Sequence, residues 1–298
     1  MAGMGSSGPT CAEVALLLAE LVETALSRAM SGSPSQVREA CRQVAQVRPS
    51  MGEMIRLGND AGLCLTDPGG LAGLATWCRG YADRREAMEA RMVGHLMAAV
   101  SVPVQAATLS KSSAVRSALV ALHAAGRLKG AWCAVSDPSG EGRVLARGLV
   151  QQGVTVHLLP DAAMETAVRE ADLVLCGADA LQGLGVVNRV GTGLLALAAL
   201  QHSRPVHVLS TSLKLLPPSL QRLFAFDGGG ADELLGAGQA RKMIDVGGDG
   251  GVFDVLNPYR ERVVYDLITS VFTEQGEVAT SALPELARAV PVATGLGF

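Results

Sequence analysis

Beyond Ser101 the chain alternates short runs rich in Val, Leu and Ala, at residues 131–135, 154–159, 173–176 and 206–210, with segments of helical length. A short continuous apolar run suits a strand buried on both faces, which requires crossover helices packed on each side of a parallel sheet. The intervening segments, 112–125, 143–152, 162–171 and 192–202, are each long enough for such a helix. The expected class is α/β with a doubly wound parallel sheet. Ligands of such sheets sit outside the carboxyl ends of the strands. Residues 136–143, 160–161, 177–189 and 211–214 are therefore the ones to inspect.

The first hundred residues read as all-helical. Thr10 and Glu13 form a capping box ahead of an amphipathic helix whose wet face carries Glu13, Glu20, Thr24 and Ser27. Gly32 ends that helix, and Ser33-Pro34-Ser35-Gln36 supplies the cap, first-turn proline and Gln that start a second. Asp67-Pro68 repeats the signal, so one long helix is expected from Leu71 to about Ala99, with Arg84, Arg85, Glu86, Glu89 and Arg91 on its solvated face. The expected organisation is a helical domain over 1–100 and an α/β domain over 101–298 that carries the ligand site. Near the far end, 251–256 looks strand-like, 263–272 returns to helical spacing, and the tail after Val278 has little pattern. The glycine-rich segments 227–232 and 246–251 read as mobile loops; the second lacks the Gly-Lys-Ser/Thr ending of a phosphate loop.

Composition narrows the function. The 298 residues are 49% hydrophobic but only 3% aromatic, so Leu, Val and Ala must build the core. A formal charge of -3 with scattered Lys and Arg gives no basic field for a polyanion, which argues against nucleic acid as a partner. No two of Cys11, Cys41, Cys64, Cys78, Cys133 and Cys176 lie two to four residues apart, which fits a reduced, cytoplasmic setting. The apolar run 14–26 is interrupted by Glu20 and Glu23 and follows no basic segment, so neither a signal peptide nor a membrane partner is expected. His95, His123, His157, His202 and His207 have no ligand spacing beyond the loose 202/207 pair; neither a metal nor a cofactor is expected.

The chemistry concentrates in 173–199. Gly177-Ala178-Asp179 follows an apolar run, Asn188 and Arg189 come ten residues later, and Gly191-Thr192 opens the next helix. Glycines permit close backbone approach, a helix amino terminus favours an anion, and Arg189 can grip phosphate with two parallel hydrogen bonds. The ligand this suggests is a small phosphorylated metabolite. A structural arrangement is equally open, with Asp179 capping a helix and pairing with Arg189 to close the turn. Likewise the hydroxyls of Thr108, Ser110 and Ser112, with Lys111, suit either phosphate binding or helix capping. Gly183-Leu184-Gly185 lacks the third glycine of a dinucleotide fingerprint.

Several motifs in order resemble the family of the alpha, beta and delta subunits of eukaryotic initiation factor 2B. Its relatives include the aldose-ketose isomerases of methylthioribose 1-phosphate and ribose 1,5-bisphosphate. The family's Arg-Pro-Ser/Thr turn is matched by Arg48-Pro49-Ser50, its Thr-x-Cys/Ser-x-Ser segment by Thr108-Leu109-Ser110-Lys111-Ser112, and its Pro-x-x-Glu-Gly-Arg segment by Pro138 to Arg143. Its most specific signature is similar to Gly177-Ala178-Asp179 and Asn188-Arg189-Val190-Gly191-Thr192; Lys214, Asn257-Pro258-Tyr259 and Thr273-Glu274-Gln275-Gly276 also fit.

The resemblance implies a helical N-terminal domain on a Rossmann-like domain, with a homodimer or higher homo-oligomer formed through the latter. It implies a sugar-phosphate or nucleotide-binding regulatory protein of translation initiation, or alternatively an isomerase of a 1-phosphorylated sugar. The ligand-binding residues carried over are Arg48, Thr108, Ser110, Ser112, Glu141, Arg143, Gly177, Asp179, Asn188, Arg189 and Lys214. In the isomerases a cysteine and the Gly-Ala-Asp aspartate shuttle protons. The aspartate matches Asp179, whereas Ser110 stands at the cysteine and Asp137 at a family Arg. A thiol ionises near a pKa of ~8.5 and a serine hydroxyl does not exchange protons near neutrality unaided.

Overall fold

In the computed structural model, residues 10–27, 33–236 and 254–297 are described. The expected helix end at Gly32 and the glycine-rich segment 246–251 lie outside them.

Five helices come first: α1 (Cys11–Ser27), α2 (Ser33–Val47), α3 (Gly52–Thr66), α4 (Gly70–Arg79) and α5 (Tyr81–Ala99). The capping box forms at α1: the Thr10 amide donates to Glu13 Oε2 at 2.7 Å and the Glu13 amide to Thr10 Oγ1 at 3.2 Å. Ala15, Leu18, Ala19 and Val22 of α1 are buried in one cluster with Cys41, Leu57 and Leu74 of the next three helices. The single helix expected over 71–99 is two. Gly80 caps α4, its low helix propensity placing the break there, and Arg84 reaches back across the junction to donate to the Trp77 carbonyl. α3 had no start signal of its own, since it opens on Gly52 with no side-chain cap.

The sheet strands are β1 (Val104–Thr108), β2 (Leu128–Ala134), β3 (Val156–Leu159), β4 (Leu173–Cys176), β7 (Val206–Leu209), β9 (Ser270–Thr273) and β10 (Gly276–Ala279). Their spatial order is β10-β9-β7-β4-β1-β2-β3, parallel except for β10, which pairs antiparallel with β9 at the edge. The crossovers are α6 (Ser113–Ala124), α7 (Glu141–Val150), α8 (Met164–Glu170) and α9 (Thr192–Gln201). The chain runs outward from β1 to β3 and then returns to place β4 on the other side of β1. The winding reverses between β1 and β4, as in a Rossmann-like sheet, and a crevice opens at their carboxyl ends. α7 lies close on β2 because Gly142 has no Cβ; one there would overlap the Ala134 carbonyl oxygen.

A second sheet was not foreseen. β5 (Ala180–Gln182), β6 (Gly185–Arg189) and β8 (Arg260–Val263) form an antiparallel sheet in the order β5-β6-β8. Residues 263–272 are thus not a helix. β8 ends at Val263, a single 3-10 turn spans Tyr265–Leu267, and β9 starts at Ser270. The chain passes between two sheets there and buries Val263, Ile268, Val271 and Phe272 at a spacing that mimics a helix. Residues 254–256 carry no strand. The 227–232 segment is tied to the strand-like 257–259, with the Gly229 amide donating to Asn257 O at 2.8 Å and the Tyr259 amide to Asp227 O at 3.0 Å.

The patternless tail forms β10 and a helix, Leu283–Ala289, and then crosses to the N-terminal helices. Asn59 of α3 donates to the Pro291 carbonyl at 3.0 Å and accepts from the Ala293 amide at 2.9 Å. Ala293 and Leu296 are buried in the helical cluster of α1 to α4. α9 is apolar on every side: Leu195, Ala196 and Ala199 face the core, while Leu194, Leu197 and Leu200 are 64%, 52% and 63% exposed. Among the described residues no helix is long and apolar enough to cross a membrane.

Candidate functional site

A cleft of about 780 Å³ opens at the β1/β4 reversal. Of the residues singled out from sequence, it is lined by Arg48, Ser110, Ser112, Glu141, Gly177, Asp179, Asn188, Arg189 and Lys214. Thr108 lies beneath it, 1% exposed, with its Oγ1 unpartnered. Arg143 is not part of the lining; it points away and donates to Asp137 Oδ1 at 2.6 Å on the surface.

β1 ends in a turn that places Ser110 at φ 61°, and β2 ends with Ser136 at φ 58°, both in the left-handed region that a residue with a Cβ seldom enters. The two turns hold each other, since the Ser110 amide donates to Ser136 Oγ at 2.7 Å, and the Ser136 amide donates to Asp161 Oδ1 at 2.8 Å. Non-glycine residues held in this region cluster at functional sites. The turn aims the Ser110 hydroxyl at Glu141, the first residue of α7, to which it donates at 2.5 Å. Arg189, at the end of β6, donates to the same carboxylate through Nε at 2.9 Å and through NH2. Its guanidinium lies 5.2 Å above the Tyr259 ring. Burial pushes the Glu141 carboxyl up, but the hydrogen bonds from Arg189 and Ser110 outweigh it and hold the group below the usual carboxylate range.

Asp179 follows β4 and leads into β5. Its amide donates to Val187 O, and its carbonyl accepts from the Gly52 amide at the start of α3, each at 2.8 Å. That contact requires glycine, because a Cβ at Gly52 would sit 2.9 Å from both Asp179 O and Ala180 Cβ. The Asp179 carboxylate accepts from Arg260 Nε at 2.7 Å, and Arg260 also donates to Asp227. Asn188 is buried and donates to Thr192 Oγ1 at 3.0 Å, while Lys214 Nζ donates to Ala178 O at 2.6 Å. Ser112 accepts from the Val115 amide at 3.3 Å as the cap of α6, the structural role left open by its sequence. Asp179 does not pair with Arg189; each has a partner of the other's charge type elsewhere.

Sequence reasoning missed Arg260, which is only 8% exposed and comes from β8, a strand that no apolar run announced. It also missed Glu53, buried on α3 and held by Arg85 at 2.7 Å and by the Tyr81 hydroxyl at 3.1 Å. Arg116 and Arg147 were missed too, and Arg85, expected on a solvated face, is half-buried in the cleft instead. In all, the lining carries the cations Arg48, Arg85, Lys111, Arg116, Arg147, Arg189, Lys214 and Arg260 against the carboxylates Glu53, Glu141 and Asp179. A chain of net charge -3 thus concentrates cations at one cleft, which suits an anionic ligand. The thiols nearest in sequence offer no substitute acid. Cys133 and Cys176 are buried inside β2 and β4, and burial pushes each up to about 12. Among the described residues no cluster of three or more His, Cys, Asp or Glu is arranged to hold a metal ion.

Comparison with known proteins agrees with this architecture. Ribose 1,5-bisphosphate isomerase of Haloferax volcanii is 28% identical over 157 residues, 51% of this chain and 45% of its own length. The chain therefore spans about half the length of the curated relatives it matches. The translation initiation factor eIF-2B of Pyrococcus horikoshii superposes with a TM-score of 0.70 over 90% of each chain at 22% identity. The 5-methylthioribose 1-phosphate isomerase of the same organism gives 0.68 over 93% of this chain and 82% of its own at 21% identity. At such identity the likeness is one of fold. The model of the Initiation factor 2 subunit family matches residues 82–280, well over half of the sequence, and this chain belongs to that family.

Proposed function

We propose that this protein is an initiation factor 2B-like regulatory or assembly protein that binds a small phosphorylated metabolite, a sugar phosphate or a nucleotide, without converting it. The observation that carries the reading is the cation-rich cleft in which Ser110 replaces the thiol of the isomerases. Its hydroxyl is already donated to Glu141, a carboxylate held in its charged form by Arg189. That arrangement can position an anion but has no acid that exchanges protons near neutrality at the serine. The ligand-contacting set is Arg48, Ser110, Asp179, Asn188, Arg189 and Lys214, with Gly177 allowing close approach.

A second reading, an aldose-ketose isomerase acting on a 1-phosphorylated sugar, is favoured by the names of the relatives and by Asp179, whose carboxylate borders the cleft. The two separate in one experiment. Melting temperatures are measured with ribose 5-phosphate, ribose 1,5-bisphosphate, methylthioribose 1-phosphate and nucleoside monophosphates, and every binder is assayed for turnover. The expected result is stabilisation of ~2.7 kcal/mol at about 100 times the dissociation constant, weakened in Arg189→Ala, with no product. Turnover that disappears in Asp179→Asn overturns this in favour of the isomerase. Assembly is taken to begin with a homodimer or higher homo-oligomer formed through the α/β part, a reading supported by the exposed leucines of α9.

A further inference from the structure

Thr273-Glu274-Gln275-Gly276, a motif singled out by its sequence, does not border the cleft. It makes the two-residue turn between β9 and β10. Gly276 enters β10 at φ 131°, a backbone angle that side chains seldom adopt. The Thr273 hydroxyl closes the turn by accepting from the Gln275 amide at 3.1 Å and donating to Gly276 O at 3.3 Å. The reversal leaves the half-buried Glu274 carboxylate facing a second turn, where it accepts from the Ser212 amide through Oε2 at 3.0 Å and from the Ser212 hydroxyl through Oε1 at 2.5 Å.

Ser212 opens the single 3-10 turn Ser212–Lys214 that follows β7. Such a turn begins with amides and ends with carbonyls that have no partner inside it. Glu274 takes up the first amide. At the other end Arg56 of α3 donates to Leu215 O at 2.8 Å and to Ser212 O at 3.4 Å, its own charge matched by Asp60 at 3.1 Å. The Leu216 amide then donates to Leu181 O of β5 at 2.9 Å. Three elements thus fix a turn of three residues. What it carries into the cleft is the Lys214 ammonium, set on Ala178 O at 2.6 Å and paired with no carboxylate among the described residues. A lysine side chain is long and flexible, so a cation held in advance loses less freedom when an anion arrives.

We propose that Glu274 is a positioning residue of the anion site: it touches no ligand itself and acts through Lys214, by holding the turn that aims the ammonium into the cleft. This rests on the reading that the cleft binds a phosphorylated ligand. The role predicts a sign opposite to that of simple charge. Removing a carboxylate near an anion site strengthens binding where only its field acts, whereas removing one that positions a cation weakens it.

The test is calorimetric titration of the full chain with ribose 5-phosphate and inorganic phosphate as probes at one ionic strength. Lys214→Ala is expected to weaken binding about tenfold and Glu274→Ala about fivefold. Glu274→Gln, whose amide can still accept from the Ser212 amide and donate to its hydroxyl, is expected to stay within about twofold of wild type. In Lys214→Ala/Glu274→Ala the second substitution is expected to add less than about twofold, because the residue it positions is gone. Ser212→Ala, which loses only the hydroxyl bond, is expected to weaken binding about threefold and takes the place of Glu274→Ala in the cycle if that variant does not fold. Binding that is unchanged or tighter in Glu274→Ala, or losses that multiply in the double variant, overturn the positioning role. So does a Lys214→Ala without effect while Arg189→Ala weakens the probes, and the cleft reading then stands. If neither probe binds the wild type, both readings fall together.

Discussion

Glu141 is the residue on which the most depends. It begins α7, accepts the Ser110 hydroxyl, and neutralises Arg189 between β6 and the cleft. Because its carboxyl is held below the ordinary value in the fold, its contribution to stability is present above the unfolded carboxylate pKa of ~4.3 and is lost as pH falls through the lower folded value. Glu141→Gln removes that contribution at neutral pH. The melting temperature of the variant is expected to lie below wild type at pH 6 to 7 and to converge with it as pH falls through the lowered pKa of Glu141. A constant gap across that range is the contrary result. Arg260, by contrast, had no legible signal. It meets Asp179 across 81 positions of sequence through a sheet whose strands are short, and its own segment, Arg-Glu-Arg-Val, carries three charges in four residues.

At the level of elements, what the sequence made legible was what burial on both faces dictates. Leu173–Cys176 has only apolar side chains because helices cover it on each side, and its observed bounds match the apolar run. The hairpin of β5 and β6 was illegible for the opposite reason. Its strands are three and five residues long, and their turn, Gly183-Leu184, resembles any glycine loop. The positions of Asp179, Asn188 and Arg189 were thus readable as chemistry, while the sheet that orients them was not. The two glycines of α7 separate packing from propensity. Gly142→Ala places a methyl group against the Ala134 carbonyl of β2, and a loss of more than about 4 kcal/mol in urea unfolding, or no folded protein, is expected. Gly148→Ala meets only the Arg116 stem at ordinary contact distance and is expected to gain roughly 0.5–1 kcal/mol.

For the whole molecule, the composition foretold a core of small aliphatic side chains but not where the excess would go. Part of it is on α9, whose outer leucines contact nothing that would keep them from water. Leu194→Glu/Leu197→Glu is expected to convert a dimer into a monomer in size-exclusion chromatography with light scattering, leaving the circular dichroism unchanged. A monomeric wild type would contradict this. The tail is the other molecule-wide feature, since Ala293 and Leu296 complete a cluster otherwise made by α1 to α4, and the Leu296 Cδ1 comes to rest where only Gly62 leaves room. During synthesis those four helices emerge ahead of the sheet but lack two members of their own core until residue 296 has emerged. Their core is therefore closed by a segment made after every strand of the sheet.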